Sequence, residues 1–258
     1  NNSPVLLTEY IHGDFYPQEG DTLSDIQIYE AAKMLGRIHQ LSTNGLITVE
    51  GTPSDVNTYT TNFFFDAQKA ISLWQHALDT INNKAEKNSI DKTIEYMSDS
   101  KIHDLLQLNS DLINTNARNL PSVLSHGDFL PQNIIYNKEK IVGVVDWELA
   151  RFQPKIWEFA RALCGFCRSD STELFNTPID WKKARIFAYA YLIEEPLSEA
   201  EKNICGELLY IASLFPLYLL ESRYIYNNPR ANNLVPQDET SWNFWKNNAK
   251  NLRRNIFD

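Results

Sequence analysis

The sequence predicts an α+β fold that is mostly helical, with one β-hairpin embedded near its middle. Apolar residues recur at helical spacing in several segments on both sides of that hairpin. In "NIIYNKEKIVGVVDW", two β-branched apolar runs flank a polar turn, which is typical of a hairpin. The 258 residues are 43% hydrophobic and include only 9 glycines, so the chain can bury a large core and is not of the disordered class.

One short strand and three helical stretches are predicted before the hairpin. "VLLTEYIHG" (Val5–Gly13) is predicted to be a strand that leads into a turn. The next helix begins after the N-cap Ser24. Weaker amphipathic patterns predict helices over about 61–82 and 89–116, before Pro121. The apolar face of the first helix contains Ile28, Ala31, Ala32, Leu35 and Ile38.

Everything after Pro154 is predicted to be helical. The apolar periodicity favours helices over roughly 155–167, 181–193, 198–226 and 240–254. In "PLSEAE", Ser198 and Glu201 form a capping-box pattern that marks one helix start.

The hairpin register predicts a polar site at its open end. With Asn137–Lys140 as the turn, Tyr136 faces Ile141, Ile135 faces Val142, Ile134 faces Gly143 and Asn133 faces Val144. Cross-strand partners, and residues two apart on one strand, project from the same face. Asn133 and Asp146 are therefore expected on one face at the same end.

The residue types at this end suit phosphate chemistry. An amide and a carboxylate held side by side make a hard oxygen site that suits Mg²⁺. Asp128 lies in the loop before Asn133, where a carboxylate could orient and deprotonate a hydroxyl. Singly, Asp128 and Asn133 would be turn residues and Asp146 a strand terminator. Together, His-x-Asp-x4-Asn followed by a hairpin that ends in Asp favours a site.

The loop "HGDFLPQN" and the segment "DWELA" resemble the catalytic loop and metal-binding aspartate of the protein-kinase-like fold. The glycine after the histidine is similar to the aminoglycoside phosphotransferase / choline kinase-like family. The last hundred residues are similar to homoserine-kinase-like and spore-coat-kinase-like members. The resemblance implies that Asp128 is the catalytic base, Asn133 and Asp146 bind Mg²⁺, His126 supports the loop, and Glu148 assists the metal site.

Three further segments extend the resemblance. "IWEFARAL" is similar to a segment in which the family usually has Asp and this chain has Glu158, a residue that would brace the catalytic loop. "AAKMLGRIHQLS" looks like a family helix that ends in Leu-His, and its His39 is interpreted as structural. "VLLTEYIHG" is similar to the hinge strand that pairs with adenine, which would place Glu9, Tyr10 and Ile11 at the ATP.

The resemblance covers the chain as the C-terminal lobe of such a kinase. It implies a hinge strand and linker in residues 1–20 and a helical lobe in 21–258. In that lobe, the catalytic loop and metal hairpin occupy 124–152, and the helical substrate region occupies 153–258. An N-terminal nucleotide lobe is expected to be absent, because there is no Gly-rich loop and no "V-A-I-K"-like strand. A shortened form of a complete kinase and a natural lobe-only protein both fit.

Charge and composition exclude other classes of function. The net charge of -9 argues against non-specific nucleic-acid binding. "LLYIASLFPLYLLESRY" is broken by Pro216, and the N-terminus has no signal-peptide pattern, so no membrane association is expected and the location is expected to be cytoplasmic. Cys164 and Cys167 form a C-x-x-C in the apolar "FARALCGFC" and, with no second metal-ligand pair nearby, are interpreted as ordinary buried thiols.

The sequence thus predicts an ATP- and Mg²⁺-dependent kinase that acts on a hydroxyl of a small molecule. Candidate acceptors are an aminoglycoside, an amino alcohol such as choline, and a homoserine-like compound. The alternative is a non-catalytic scaffold derived from a kinase, and a metal-dependent hydrolase is a less favoured third possibility. Aromatic and acidic residues after 153 could cage a cationic substrate, although most of those aromatics are expected in the core. The oligomeric state is left open.

Overall fold

Helices and two small antiparallel sheets make up the architecture in the computed structural model, which describes residues 10–15, 22–46, 67–96, 98, 104, 120–168, 179–213, 217–228 and 239–258. The predicted mostly helical α+β character is confirmed in these residues. The strands are β1 (Asp14–Phe15), β2 (Ser122–Ser125), β3 (Ile134–Asn137), β4 (Lys140–Val144) and β5 (Arg151–Pro154). The helices are α1 (Asp25–Thr43), α2 (Ala67–Asn82), α3 (Lys155–Phe166), α4 (Trp181–Glu194), α5 (Glu199–Ser213), α6 (Leu217–Tyr224), α7 (Glu239–Asn248) and α8 (Leu252–Ile256).

Helix α1 begins where the sequence predicts. The Ser24 hydroxyl accepts a hydrogen bond from the Gln27 backbone N–H at 3.2 Å, and the Gln27 side chain accepts one from the Ser24 N–H at 2.9 Å. This reciprocal pair satisfies two backbone donors that the first helical turn leaves open. The predicted apolar face of α1 is buried, and the helix packs against α4.

Three predicted elements differ in extent. Residues 10–13 of the predicted strand Val5–Gly13 are not in a strand, whereas 5–9 lie outside the described residues; the pairing begins later, in β1. The predicted helix 198–226 corresponds to two helices, α5 and α6, and in the sequence Pro216 stands between them. The predicted helix 240–254 is interrupted by a 3₁₀ turn at Ala249–Asn251.

Two other helix predictions are described only in part. Residues 89–96, 98 and 104 of the predicted helix 89–116 are helical, and the remainder lies outside the described residues. Helix α2 covers 67–82 of the predicted 61–82. The capping box of α5 is present, because Ser198 and Glu201 exchange backbone-to-side-chain hydrogen bonds of 2.8 and 3.3 Å.

The hairpin β3–β4 forms as predicted, but its register is wrong beyond the turn. Tyr136 faces Ile141, yet Ile135 faces Gly143 and Ile134 faces Val144, because a β-bulge between Ile135 and Tyr136 adds one residue to β4. The one-residue slip exchanges the faces of the remaining side chains. Strand β1 pairs with the outer side of β3, and β2 pairs separately with β5.

Helix α3 lies at the centre of the core. Apolar side chains on nearly every face of the helix are buried, and it contacts α1, α4, α5 and strand β2.

The two cysteines of the C-x-x-C pattern lie at the end of this helix. Cys167 is fully buried directly after α3, and Cys164 is partly buried on it. Neither forms a disulfide, and burial raises the pKa of Cys164 to about 12, as expected for thiols that only pack. None of the described helices combines the length and the apolar character that a bilayer crossing requires.

Candidate active site

The loop that the sequence singles out, residues 126–133, follows strand β2 and enters the hairpin. Gly127 adopts φ of +89°, a left-handed conformation that disfavours residues with a side chain. A Cβ at this position would also collide with the carbonyl oxygen of Leu149. Glycine is therefore required twice over at the bend before Asp128.

His126 supports the loop through both ring nitrogens. Its Nδ1 accepts a hydrogen bond from the Asp128 backbone N–H at 3.3 Å, so its Nε2 carries the proton that it donates to the Val145 carbonyl at 2.8 Å. The ring is buried and lies 4.6 Å from the Trp147 ring, centroid to centroid. His126 thereby joins the loop to the end of the hairpin.

Glu158 on α3 holds the backbone of the same loop. Its Oε1 accepts from the Gly127 N–H at 2.5 Å, and its Oε2 accepts from the His126 N–H at 3.0 Å. His39 Nε2 lies 2.9 Å from Oε2. Burial opposes the charged form of Glu158, but the hydrogen bonds from His39 and Gly127 outweigh it, and the pKa of Glu158 lies below its ordinary value of 4.5.

Behind Glu158, a buried chain of polar groups continues through His39 to Tyr191. Because the Glu158 carboxylate accepts from His39 Nε2–H, a neutral His39 accepts at Nδ1 from the Tyr191 hydroxyl, 2.7 Å away. Burial raises the pKa of Tyr191 well above its ordinary value, which keeps this hydroxyl a donor. His39 is fully buried and contacts the loop only through Glu158, in agreement with the structural role predicted for it.

Asp128 and Asn133 lie together at the open side of the loop. Asn133 donates through Nδ2 to the Asp128 carbonyl at 2.8 Å and to Asp128 Oδ2 at 3.2 Å. Its amide nitrogen is therefore committed, while its Oδ1 accepts no hydrogen bond from a described residue. The other carboxylate oxygen of Asp128, Oδ1, lies 3.4 Å from Nη2 of Arg161, and about a quarter of the Asp128 side chain is exposed.

Asp146 reaches the same end of the hairpin by a route that the register does not predict. The Val145 N–H donates to the Asn133 carbonyl at 3.0 Å, so Asn133 faces Val145 and not Val144. The prediction that strand pleating puts Asn133 and Asp146 on a common face is thus wrong. Asp146 instead adopts a left-handed conformation, φ +66° and ψ +57°, which turns the chain out of the strand.

The carboxylate of Asp146 is exposed and uncommitted. Neither Asp146 nor Glu148, which lies in a 3₁₀ turn at Trp147–Leu149, receives a hydrogen bond or ion pair at its carboxylate from the described part of the chain. Among the described residues, no group of three or more His, Cys, Asp or Glu side chains could hold a metal ion. The structure thus does not assemble Asp128, Asp146 and Glu148 into a preformed cage.

The residues expected at the adenine are described in part. Glu9 lies outside the described residues. Tyr10 is exposed and lies edge-on to His12, with ring centroids 4.8 Å apart. Ile11 lies over the hairpin, since a Cβ at Gly143 would be 2.9 Å from Ile11 Cδ1. The structure therefore brings Ile11 to the hairpin that precedes Asp146.

Comparison with known proteins decides the family. The family model of the phosphotransferase enzyme family (APH) matches residues 2–190, which include the loop, the hairpin and α3. The chain belongs to the phosphotransferase enzyme family. This confirms the resemblance stated from "HGDFLPQN" and "DWELA". No relative among curated proteins matches the sequence.

Solved structures of phosphotransferases share the fold. An aminoglycoside phosphotransferase from Alicyclobacillus acidocaldarius subsp. acidocaldarius superposes with a TM-score of 0.55 at 15% identity, over 95% of this chain and 67% of that one. A spectinomycin phosphotransferase, in complex with ADP and spectinomycin, superposes with a TM-score of 0.52 at 15% identity, over 95% of this chain and 69% of that one. The chain thus spans about two thirds of these proteins and has their protein-kinase-like fold.

The acidic residues expected to cage a cationic substrate are largely engaged within the protein. Glu158 is bonded to the loop 126–133, and Glu195 is buried against Lys155 at 2.6 Å. Glu194 lies 3.2 Å from Arg37. Of the aromatic residues expected with them, those that are buried in the core include Trp157, Tyr191, Tyr210, Tyr224 and Trp245. A cationic acceptor remains a prediction without a described cage.

Sequence reasoning missed two arginines near the loop 126–133. Arg161 contacts Asp128, and Arg151, on β5, is buried near Asp128, Glu158 and Arg161. Burial lowers the pKa of Arg151, with repulsion from Arg161 adding to that effect. The signal for Arg161 was available, since it follows Glu158 by three residues on a helix and so shares its face.

Proposed function

We propose that the protein transfers the γ-phosphoryl group of ATP to a hydroxyl of a small molecule, with Asp128 as base. The observation that carries the proposal is the orientation of Asn133. Its amide nitrogen is held by Asp128, which leaves the carbonyl oxygen available, and its backbone pairs with the residue directly before the uncommitted Asp146. Membership of the phosphotransferase enzyme family supports the same reaction class.

The donor set at the loop fits Mg²⁺. An amide oxygen from Asn133 and a carboxylate from Asp146 are hard ligands, and Glu148 could add a second carboxylate. Mg²⁺ usually takes few protein ligands and shares the rest with phosphates and water, so a preformed cage of three acidic side chains is not required. Bound Mg²⁺ with ATP would supply the phosphoryl group and neutralise part of its charge.

The surroundings of Asp128 support its proposed role as the base that acts on the acceptor. It is partly exposed and projects from a loop whose backbone is fixed by Glu158 and whose bend is fixed by Gly127. A fixed carboxylate can accept a hydrogen bond from an acceptor hydroxyl, orient its lone pair and take its proton as the phosphoryl group is transferred. His126 contributes by holding the Asp128 backbone, not by proton transfer.

The nucleotide and acceptor sides of the proposal follow from the family resemblance. We assign Glu9, Tyr10 and Ile11 to the adenine, with residues 1–20 as hinge and linker and 21–258 as the lobe that carries the acceptor. The fold neighbours are described as an aminoglycoside phosphotransferase and a spectinomycin phosphotransferase in complex with ADP. An aminoglycoside, an amino alcohol and a homoserine-like compound are the acceptor classes to test, in a protein that we place in the cytoplasm.

A phosphorylation screen tests the function. The complete gene product is assayed for ADP release with ATP and MgCl₂ against aminoglycosides, choline, ethanolamine and homoserine. With an accepted substrate, Asp128→Asn is expected to lower kcat by about 10²- to 10⁴-fold, because it removes the proton acceptor. The matched control is Asp79→Asn, which changes an exposed aspartate on α2 and should keep wild-type kcat.

Two results would contradict the proposal. Full activity of Asp128→Asn on every accepted substrate would exclude Asp128 as base. Absence of both turnover and Mg²⁺-dependent ATP binding in calorimetry would favour the non-catalytic scaffold.

Loss of metal-dependent ATP binding in Asp146→Ala, with binding retained in Asp79→Asn, is the expected result for the proposed metal ligand.

A further inference from the structure

One face of helix α3 contacts the loop 126–133 at successive positions. Glu158, Arg161 and Gly165 recur at the i, i+3 and i+7 spacing that places them on one face. Glu158 accepts the backbone N–H groups of His126 and Gly127. A Cβ at Gly165 would lie 2.6 Å from Leu130 Cδ2, so the helix closely approaches the later part of the loop, and a larger residue would displace the Leu130 side chain.

Arg161 occupies the middle of this face, opposite the side chain of the proposed base. Its Nη2 lies 3.4 Å from Asp128 Oδ1, while Asn133 donates to Oδ2. Each oxygen of the Asp128 carboxylate therefore has its own donor, from a different element. Two donors on opposite oxygens fix the rotation of a carboxylate in a way that one donor does not.

Arg151 cannot supply this contact in place of Arg161. It is 93% buried by the exposure of its side chain and donates through Nε to Gln153 at 2.9 Å. Arg161 is the more accessible of the two, with 26% of its side chain exposed beside an equally accessible Asp128. Arg161 is thus the arginine that faces the open side of the loop.

We propose that Arg161 is a positioning residue for Asp128: it fixes the carboxylate in the orientation that an acceptor hydroxyl needs, and it offsets the negative charge that this carboxylate presents to the transferred phosphoryl group. The inference rests on the proposed phosphotransferase function. A displacement of a base by about 1 Å can cost about 10²-fold in rate.

Substitution of Arg161 tests the role. Arg161→Gln is expected to lower kcat by about 10- to 100-fold, with the KM for ATP within about threefold of wild type, because the base is misplaced and the nucleotide is not. The kcat of Arg161→Lys should lie between those of wild type and Arg161→Gln, since lysine keeps the positive charge but lacks the planar, forked donors of a guanidinium. Added guanidinium should restore part of the activity of Arg161→Ala. The control Arg185→Gln, which removes an exposed charge from α4, should keep wild-type kinetics.

A mutant cycle with Asp128 separates a positioning effect from a structural one. If Arg161 acts through Asp128, Arg161→Gln causes no further loss of kcat in the Asp128→Asn background. Equal losses in both backgrounds, or a kcat for Arg161→Gln within twofold of wild type, would overturn the proposal.

The same four proteins distinguish this failure from failure of the proposed function. If wild type phosphorylates no acceptor, the proposed function is wrong. The unfolding equilibrium constants of the four proteins then test only whether Arg161 and Asp128 interact. A coupling of about two- to fivefold supports a direct Arg161–Asp128 interaction, and strictly additive effects overturn it.

Discussion

Glu158 fixes the backbone of the loop 126–133 from the buried core, although its own side chain does not reach the open side of that loop. It lies in the buried core, yet three donors from α1 and the catalytic loop converge on its two oxygens. A buried carboxylate is stable only when such donors satisfy it. The extra methylene of Glu over the usual Asp thus does not prevent contact with the loop.

Glu158→Gln is expected to destabilise the protein by about 3 kcal/mol at pH 7, because its single carbonyl oxygen cannot satisfy donors at both positions and its NH₂ group would face a donor. Urea unfolding of wild type, Glu158→Gln and the exposed-site control Glu139→Gln measures this. A loss for Glu158→Gln no larger than for the control would contradict the role.

The same variant gives a pH test. The pKa of Glu158 in the folded protein is below its ordinary value of 4.5, so its charge stabilises the fold above about pH 4.5. That contribution disappears as the pH falls through the folded-state pKa. The difference in unfolding free energy between wild type and Glu158→Gln should therefore be constant from pH 7 to 5 and shrink below 4.5. A difference that grows towards low pH would show that the pKa is raised instead.

The positions of the candidate site residues in the fold were predicted more accurately from the sequence than the backbone geometry that brings them together. His126, Asp128, Asn133 and Asp146 all lie at the loop or the end of the hairpin, where the motif places them. The predicted register failed because one bulged residue shifts every later pair. Gly143, inside the strand pattern and next to the bulge, was the available sequence signal. The left-handed turn at Asp146 was not predicted either, although aspartate is among the non-glycine residues that most often adopt this conformation.

At the scale of whole elements, α3 and α5 each approach a neighbouring segment closely at a glycine. On α5, a Cβ at Gly206 would collide with the carbonyl oxygen of Ala249, in the 3₁₀ turn before α8. On α3, the obstacle to a Cβ at Gly165 is the end of the Leu130 side chain, which can rotate away. The two positions therefore differ in what must move, not in local helix preference.

Gly206→Ala is expected to cost about 2 kcal/mol or more of unfolding free energy, because the backbone clash exceeds the gain of about 1 kcal/mol in helix propensity. Gly165→Ala, the matched variant, should change stability by less than about 1 kcal/mol, since Leu130 can adjust. It should still lower kcat, because Leu130 belongs to the catalytic loop. Urea unfolding and the kinase assay measure both effects, and equal stabilities for the two variants would contradict the distinction.

Helix starts were predictable where the capping chemistry is local. The Ser24–Gln27 and Ser198–Glu201 pairs act within one turn, so the sequence contains all the information that they need. The interruption at Ala249–Asn251 was not predictable, because it occurs where α5 approaches the chain through Gly206. Contacts between distant segments cause such helix interruptions, and a periodic apolar pattern does not predict those contacts.

Over the whole molecule, the described helices are joined by contacts that span most of the chain. Helix α1 packs along α4, about 150 residues later, and Arg37 and Gln40 of α1 bond to Glu194. Glu195 extends this junction, since it accepts from Thr43 at 3.1 Å and from Lys155 at 2.6 Å. One buried carboxylate thus connects the end of α1, the start of α3 and the segment between α4 and α5.

The Lys155–Glu195 pair yields the last prediction. Both side chains are buried, and Lys155 also donates to the Pro196 carbonyl at 2.7 Å. Lys155→Met leaves a buried carboxylate without its cation, and Glu195→Met leaves a buried ammonium, so each should cost about 3–5 kcal/mol of unfolding free energy. The double variant should cost less than the sum of the two, because it leaves no unpaired charge and buries apolar volume instead. Lys202→Met, which breaks an exposed pair with Glu199 on α5, should change stability little. Urea unfolding of the four variants measures the cycle, and additive losses would show that the pair does not act as one unit across α1, α3 and the segment after α4.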